Sequence, residues 1–249
     1  MTDYIKEFTK LLQNIDYSKR PATVFQDFLT VSTISFANIV YKSEELEKKY
    51  FEIIKEYKNP NMLAELLTIT ALALEEKTQD FLGSIYMREN FANKGTAQVF
   101  TPFHISECMA QMTFGENLES EIKEKGFITV SDPCCGSGVM TIGMAEALKS
   151  KDYNPQKVMW FQGTDIDMTC CKMAYIQTSL LGLSGEIVYG NTLTLECWKR
   201  FITPMTLLNQ KIMNEIYLKK PKEKQEIKQN ILHIEESPKF VIKQLSMFG

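Results

Sequence analysis

Residues 127–140, with the sequence FITVSDPCCGSGVM, constrain the fold of this chain more than any other stretch. The apolar residues 127–130 predict a short strand, the two glycines predict a tight bend, and the residues after the bend predict a helix through Ala147. A strand, a Gly-x-Gly bend and a helix place a ring of backbone N–H groups around a nucleotide-like ligand. The sequence therefore predicts a ligand-binding loop in the middle of the chain.

The residue in front of the bend discriminates between the ligands that such a loop can hold. Gly136 and Gly138 match the first two glycines of the dinucleotide fingerprint, but the next glycine, Gly143, comes too late for it. A carboxylate such as Asp132 within about 4 Å of a pyrophosphate would cost up to roughly 4 kcal/mol at an effective dielectric constant of about 20. A ligand with an ammonium and a sulfonium group would instead be attracted. The loop therefore favours S-adenosylmethionine over NAD.

The region after the bend alternates between strands and helices. Residues 158–163 and 185–189 predict two further strands with a helical segment between them. Such an alternation predicts a parallel sheet, whose ligands lie at the carboxyl ends of the strands. Asp132, Asp165 and Asn191 all fall at those ends. We expect them to contact the methionyl ammonium, the two ribose hydroxyls and the adenine amino group, respectively.

Two of these side chains also have a purely structural interpretation. A carboxylate that follows a strand can cap the next helix, although Asp167 is better placed than Asp165 for that role. Asn191 follows a glycine and can equally well be a turn residue, so both interpretations of it stay open.

The remainder of the chain divides by its pattern. Residues 1 to about 90 show apolar side chains at helical spacing, and the last fifty-odd residues are rich in lysine with glutamates between the lysines. This alternation of charges indicates a solvated helix face rather than a phosphate-binding stripe. We therefore predict a helical domain over residues 1–92, a cofactor-binding core over 93–196, and over 197–249 a lysine-rich helical tail with a C-terminal peptide motif.

Charge and cysteine usage exclude several classes of protein. A net charge of −3 argues against a strongly basic nucleic-acid-binding surface, though not against a local one. The six cysteines contain no Cys-x-x-Cys and are accompanied by only two histidines, which predicts reduced structural thiols and no metal site. No signal peptide or membrane-length apolar run is present, so we expect a cytoplasmic protein without membrane contact.

Four motifs in this order resemble those of the adenine-specific DNA methyltransferases, in particular the modification subunits of type I restriction systems. GTAQVFTP is similar to the family's Gly-Gln-Phe-Phe-Thr-Pro loop, and DPCCGSGVM to its Asp-Pro-x-x-Gly-x-Gly signature. GTDID matches the acidic ribose contact, and YGNTL the usual Gly-Asp-x-Leu. The resemblance covers residues 22–191 and includes a helical domain that ends in DFLGSIYM. It implies an α/β, Rossmann-like S-adenosylmethionine-dependent methyltransferase fold with an incomplete parallel sheet and an N-terminal all-helical domain.

The same motifs imply a set of cofactor contacts. Asn191 stands where the family usually has Asp. This difference predicts a lower affinity for the cofactor without loss of binding. A residue of the first motif, Thr101, is also placed to cap a helix over residues 104–112, and a simple capped helix is the structural alternative for that loop. The predicted cofactor residues are Phe100, Thr101, Pro102, Asp132, Pro133, Cys134, Gly136, Gly138, Asp165, Ile166 and Asn191.

The catalytic element of the family is missing from this sequence. Methylation of the exocyclic nitrogen of adenine requires a flipped base stacked on an aromatic ring, which the family provides with Asn/Asp/Ser-Pro-Pro-aromatic. The eight prolines include no adjacent pair, and residues 237–240, Ser-Pro-Lys-Phe, come nearest to the motif. Two hypotheses follow. One is an N6-adenine DNA methyltransferase of a restriction-modification or mobile-element system. The other is an inactive methyltransferase-fold binding protein that acts as a decoy, antirestriction or regulatory factor.

The sequence also predicts partners. An incomplete sheet leaves an open edge, so we expect the tail or another subunit to cover it, and DNA to be contacted through a partner subunit of a homo- or hetero-oligomer. The C-terminal residues resemble the peptide by which bacterial replication proteins dock on the DNA polymerase sliding clamp, with a strand packed on the sheet as the alternative. The residues concerned are Gln244, Leu245, Ser246, Met247 and Phe248.

Overall fold

The structure, a computed structural model, describes residues 3–91, 100–114 and 118–218. The motif-like residues 237–240, the C-terminal peptide and the first part of the GTAQVFTP loop lie outside the described residues, so the predictions made for them stay predictions. Across the three described ranges, no helix combines the length and the hydrophobicity needed to cross a membrane.

The N-terminal part is helical because apolar side chains recur at helical spacing and polar side chains stand at the helix starts. Asp3, Ser43 and Asp80 each accept a hydrogen bond from a backbone N–H in the first turn of the helix that follows. The helices of this part are α1 (Tyr4–Asn14), α2 (Pro21–Tyr41), α3 (Glu44–Ile54), α4 (Asn61–Glu76) and α5 (Phe81–Arg88).

The rest of the described chain is an α/β unit around a four-stranded sheet in the order β1-β2-β3-β4. β1 to β3 are parallel, and β4 runs antiparallel to β3. The α/β fold class with an incomplete parallel sheet behind a helical N-terminal part is thereby confirmed. The elements are α6 (Phe103–Thr113), α7 (Leu118–Lys125), β1 (Ile128–Asp132), α8 (Val139–Lys149), α9 (Pro155–Val158), β2 (Met159–Asp165), α10 (Met168–Leu180), β3 (Ser184–Asn191) and β4 (Glu196–Ile202).

The fourth strand was not predicted. Its sequence, ECWKRFI, has no regular alternation of apolar and polar residues, and only its last two residues are buried. β4 lies in the segment assigned to the tail, so the sheet continues beyond residue 196, where the predicted core ends. The described chain then continues through α11 (Pro204–Leu208), α12 (Gln210–Ile212) and a π-helical turn (Met213–Leu218).

A buried carboxylate, Glu186 on β3, joins the late elements to the sheet. It accepts hydrogen bonds from Arg200 of β4 at 2.9 and 3.1 Å and from Tyr217 of the π-helical turn at 2.9 Å. Gln162 of β2 donates to the same carboxylate at 2.6 Å. Because a buried charge is costly unless it is paired and hydrogen-bonded, this network fixes β4 and the π-helical turn in one arrangement.

The helical part shares its hydrophobic core with the α/β unit. Phe8 contacts Phe28 and Phe81 edge to face, with ring centroids 5.4 and 5.7 Å apart. Met173 of α10 belongs to the same core, and α10 packs along α2. The chain crosses the sheet in one direction from β1 to β3, and right-handed crossovers therefore place α8 and α10 on the same face. The predicted boundary at residue 92 stays a prediction.

Candidate functional site

The carboxyl ends of the three parallel strands bring the predicted polar side chains together. Asp132 ends β1, Asp165 ends β2 and Asn191 ends β3. The strands run in register, with Asp132 opposite Gly163 and Asp165 opposite Tyr189. The three side chains therefore stand along one edge of the sheet.

The bend between β1 and α8 has a backbone conformation that favours glycine at two positions. Gly136 has φ +53° and Gly138 has φ +92°, in the left-handed region that other residues rarely adopt. A Cβ atom on Gly138 would also lie 3.2 Å from the Cα atom of Ala174 in α10. The bend therefore packs directly on α10, and its backbone N–H groups face the strand ends at the start of α8.

Asp132 has one carboxylate oxygen without a partner. Its Oδ1 accepts from the backbone N–H of Cys134 at 3.2 Å, whereas its Oδ2 is buried and has no hydrogen-bond partner among the described residues. Burial, and then the charge of Asp165, raises the pKa of the Asp132 carboxyl. An unpaired buried acceptor is costly, and a ligand ammonium group would relieve that cost. The residues present thus fit the methionyl end of the predicted cofactor.

Asp165 holds the bend in place. Its Oδ2 accepts from the N–H of Gly136 at 2.9 Å and its Oδ1 from the N–H of Asp167 at 2.8 Å. Each oxygen keeps a second lone pair that a ribose hydroxyl can use. Helix capping falls to Asp167, whose side chain accepts from the N–H of Thr169 at 2.7 Å at the start of α10. The preference for Asp167 over Asp165 as the cap is confirmed.

Asn191 serves as a turn residue. Its side-chain oxygen accepts from the N–H groups of Leu193 and Thr194 at 3.0 and 3.4 Å. Both lone pairs of that oxygen are therefore used within the turn, which leaves the side-chain NH2 group for a ligand. The contact predicted between this oxygen and the adenine amino group competes with the turn.

The aromatic residue of the first motif lies against the bend. The Phe100 ring stacks on Tyr86, with centroids 5.7 Å apart and an interplanar angle of 18°. A Cβ atom added at Gly136 would lie 3.4 Å from the same ring. Phe100 therefore borders the site from the helical side.

The prediction that Thr101 caps the following helix is wrong. α6 begins at Phe103, so Pro102 occupies the N-cap position, and no side chain caps that end. The helix starts one residue earlier than predicted, but Thr101 still lies one residue before the N-cap position, and its side chain does not cap the first turn. α6 instead packs on α8, where a Cβ atom at Gly143 would lie 2.8 Å from Ser106 Oγ. Gly143, which comes too late in the sequence for the dinucleotide fingerprint, permits this close contact between α6 and α8.

The remaining predicted residues line the same edge. The carbonyl oxygen of Pro133 accepts from Thr192 Oγ1 at 2.5 Å, which ties the end of β1 to the turn after β3. Cys134 is exposed, and Ile166 beside Asp165 is 61% exposed despite its apolar side chain. Thr192 was not among the predicted residues, although it follows Asn191 in the YGNTL motif.

Sequence reasoning missed a buried network beneath the bend. Asp80, at the start of α5, accepts from Ser137 Oγ at 2.5 Å, from the N–H of Gly83 at 3.0 Å and from Gln177 Nε2 at 2.9 Å. The same Gln177 nitrogen donates to the carbonyl oxygen of Ser137 at 2.9 Å, and Gln177 Oε1 accepts from the N–H of Leu82. The network fastens the bend to the helical part and to α10 at once.

The part of the chain that the structure describes contains no group of three or more His, Cys, Asp or Glu side chains arranged to hold a metal ion. The six cysteines are free thiols, of which Cys135, Cys170 and Cys171 are buried. Burial raises the pKa of each of these three thiols, as expected of structural side chains.

Comparison with known proteins assigns this arrangement to a family. A family model described as N-6 DNA Methylase matches residues 77–231 of the 249-residue chain. The chain belongs to the N-6 DNA methylase family. The matched range includes the strand ends, the bend and the Asp80 network, so the predicted family resemblance is confirmed.

One solved structure gives a further comparison for this chain. A Listeria monocytogenes protein, provisionally described as a class I S-adenosylmethionine-dependent methyltransferase, shares 16% sequence identity and a TM-score of 0.44. The similarity covers 78% of this chain and 55% of that chain, so this chain spans about half the length of that protein. A search of curated proteins found no match.

The Asp80 network predicts that removal of the Ser137 hydroxyl destabilises the fold. Ser137→Ala removes a donor from a fully buried carboxylate, so we expect the free energy of unfolding to fall by about 1–3 kcal/mol in chemical denaturation. The matched control is Ser150→Ala at the other end of α8, whose hydroxyl bond is local and more exposed. The control should change stability by less than about 0.5 kcal/mol.

The loss caused by Ser137→Ala should depend on pH. Burial raises the pKa of Asp80, and the Ser137 hydrogen bond opposes that rise by favouring the charged form. Without the hydroxyl, the pKa rises further, so the loss is full above the folded-state pKa and shrinks as the pH falls through it. A loss that is equal for the two serine variants, or that is independent of pH, would contradict the role of this network.

Proposed function

We propose that the chain binds S-adenosylmethionine at the carboxyl ends of β1 to β3 as the cofactor-binding core of an N6-adenine DNA methylation system. The observation that carries the proposal is the buried, unpartnered Oδ2 of Asp132 beside the glycine bend. Family membership supports the cofactor class. The amino-acid end of the cofactor lies at Asp132, the ribose at Asp165, and the base beside the exposed Ile166.

The site residues have distinct tasks in such binding. Asp132 supplies a counter-charge for the ammonium group of the amino-acid moiety. Asp165 accepts from the ribose hydroxyls with its remaining lone pairs while it keeps the bend closed. When bound, S-adenosylmethionine supplies an electrophilic methyl group, and these residues fix its position relative to the sheet edge.

The sequence lacks the motif with which the family binds the target adenine base. No two of the eight prolines are adjacent, so an Asn/Asp/Ser-Pro-Pro-aromatic element is absent from the sequence. In the described residues, β1 pairs only with β2, and its other edge carries no strand. A strand of a partner subunit on that edge would end next to Asp132, where the methyl group must be delivered. We therefore assign base binding and DNA reading to a partner chain of a restriction-modification or mobile-element system.

One specific observation favours an alternative function. Because the catalytic element is absent, the chain could bind the cofactor and transfer no methyl group at all, as an antirestriction, decoy or regulatory protein would. Recruitment to DNA through the sliding clamp by Gln244–Phe248 belongs to either function and remains a proposal from the sequence.

Asp132→Asn tests the assigned orientation of the ligand. S-adenosylhomocysteine contains the ammonium group, whereas methylthioadenosine has the same nucleoside without it. The variant should weaken S-adenosylhomocysteine binding by about 1.5–3 kcal/mol, the range for a hydrogen bond to a charged group, and should leave methylthioadenosine binding unchanged. Calorimetry with both ligands measures this difference. Asp152→Asn, at an exposed position distant in sequence from the strand ends, is the control. An equal loss for both ligands would contradict the position of the ammonium group.

Methyl transfer to DNA distinguishes the two functions. With tritiated S-adenosylmethionine, we expect no N6-methyladenine from the purified chain alone. Label that enters adenine after host lysate is added supports a partner-dependent methyltransferase, and the Asp132→Asn variant should then reduce the labelling at limiting cofactor concentration. Cofactor binding without transfer under both conditions supports the binding protein. Methylation by the isolated chain that is lost in Phe240→Ala would contradict both and would make residues 237–240 catalytic.

A further inference from the structure

A small pocket lies where the helical part of the chain meets the sheet. It has a volume of about 100 Å³ and is formed by α2, α3, the first half of α10 and β4. None of the predicted cofactor residues lines it. Its apolar wall includes Met168 and Phe201, and its polar lining consists of lysine and threonine side chains.

Three lysines from three different elements converge on this pocket. Lys49 comes from α3, Lys172 from α10 and Lys199 from β4. Lys49 and Lys199 are exposed and Lys172 is half-buried, so two charges stand at the rim and one stands deeper. Within the described residues, none of the three forms an ion pair with a carboxylate.

The carboxylates near the pocket do not neutralise the positive charges of its three lysines. Burial, followed by the charges of Lys49 and Lys199, lowers the pKa of Lys172 to about 8. Asp27 and Asp167 act in the opposite direction, but Asp27 pairs with Lys19 and accepts from Tyr57, and Asp167 caps α10. Glu45 attracts Lys199. Like charges held together in this way favour an anion between them.

A buried hydroxyl in the pocket also has no partner. Thr33 is only 4% exposed, and its Oγ1 has no hydrogen-bond partner among the described residues. Threonine in a helix usually donates to a carbonyl oxygen one turn earlier, as Thr30 does to Gln26 at 2.7 Å. Thr30 Oγ1 in turn accepts from Lys172 Nζ at 2.8 Å, which positions that ammonium group in the pocket. Thr33 therefore offers a free donor in the same pocket as the Lys172 ammonium group.

We propose that the pocket lined by Lys49, Lys172, Lys199 and Thr33 is a binding site for one phosphate group. Several ammonium donors and a hydroxyl donor suit a tetrahedral oxyanion with several acceptor oxygens. The volume admits one such group. The phosphate group belongs to a free phosphate ion, to the end of a nucleic acid strand or to its backbone, and the site is independent of cofactor binding.

Calorimetry on the full chain with inorganic phosphate, at constant ionic strength against chloride, tests the site. We expect saturable binding that weakens at least tenfold in Lys172→Met and severalfold in Thr33→Val. Lys172→Met removes a repelled charge and keeps the apolar stem, so the variant should fold. The control is Lys48→Met, which removes an exposed charge of α3 that does not line the pocket. Binding that is absent, or that falls equally in the control and in Lys172→Met, would overturn the proposal.

Oligonucleotides distinguish the sources of the phosphate. A single-stranded oligonucleotide with a 5′-phosphate and the same strand without it are titrated into the protein and into Lys172→Met. Competition with inorganic phosphate by the phosphorylated strand alone identifies a terminal phosphate, and competition by both identifies the backbone. Competition by neither strand identifies a free phosphate ion. As an independent readout, phosphate should raise the pKa of Lys172 above its value of about 8 in NMR titration, since the anion favours the charged form. An unchanged pKa with bound phosphate would also refute the site.

Discussion

The bend between β1 and α8 depends on two carboxylates that come from other parts of the chain. Asp165 accepts from the N–H of Gly136, and Asp80 accepts from the hydroxyl of Ser137, one residue later. A Gly-x-Gly segment with two positive φ angles has high conformational freedom when unfolded, so holding it in one shape requires such contacts. The candidate cofactor site therefore rests on both the helical part and the sheet, and neither part alone would form it.

This dependence explains why the helical part and the α/β unit share a hydrophobic core. α10 contacts α2 and α5 with one side and the sheet with another, and it carries Gln177, which bridges Asp80 and the backbone of Ser137. Movement of α5 relative to α10 would break the Asp80 network and release the bend. The N-terminal helices thus stabilise the site directly, in addition to any role in contacting a partner.

Sequence patterns predicted the elements whose residues have one dominant environment. The apolar strands β1 to β3, the glycine bend and the capping role of Asp167 follow from local periodicity and local chemistry. β4 could not be found in this way because it is half exposed and is held by Glu186, a contact distant in sequence. The Asp80 network was equally hidden, because Ser137 and Gln177 follow Asp80 in the sequence by 57 and 97 positions, respectively. Thr101 failed as a cap because the proline after it already takes the N-cap position.

We place the amino-acid moiety and the ribose of S-adenosylmethionine at the strand ends and assign base binding to another chain. The most direct test follows the backbone amide signals of Gly136, Gly138 and Asp165 by NMR while S-adenosylhomocysteine is added, and then repeats the titration with NAD. The account predicts saturable shifts centred on these residues with S-adenosylhomocysteine and none with NAD. Equal shifts with NAD, or shifts that leave the bend unchanged, would contradict it.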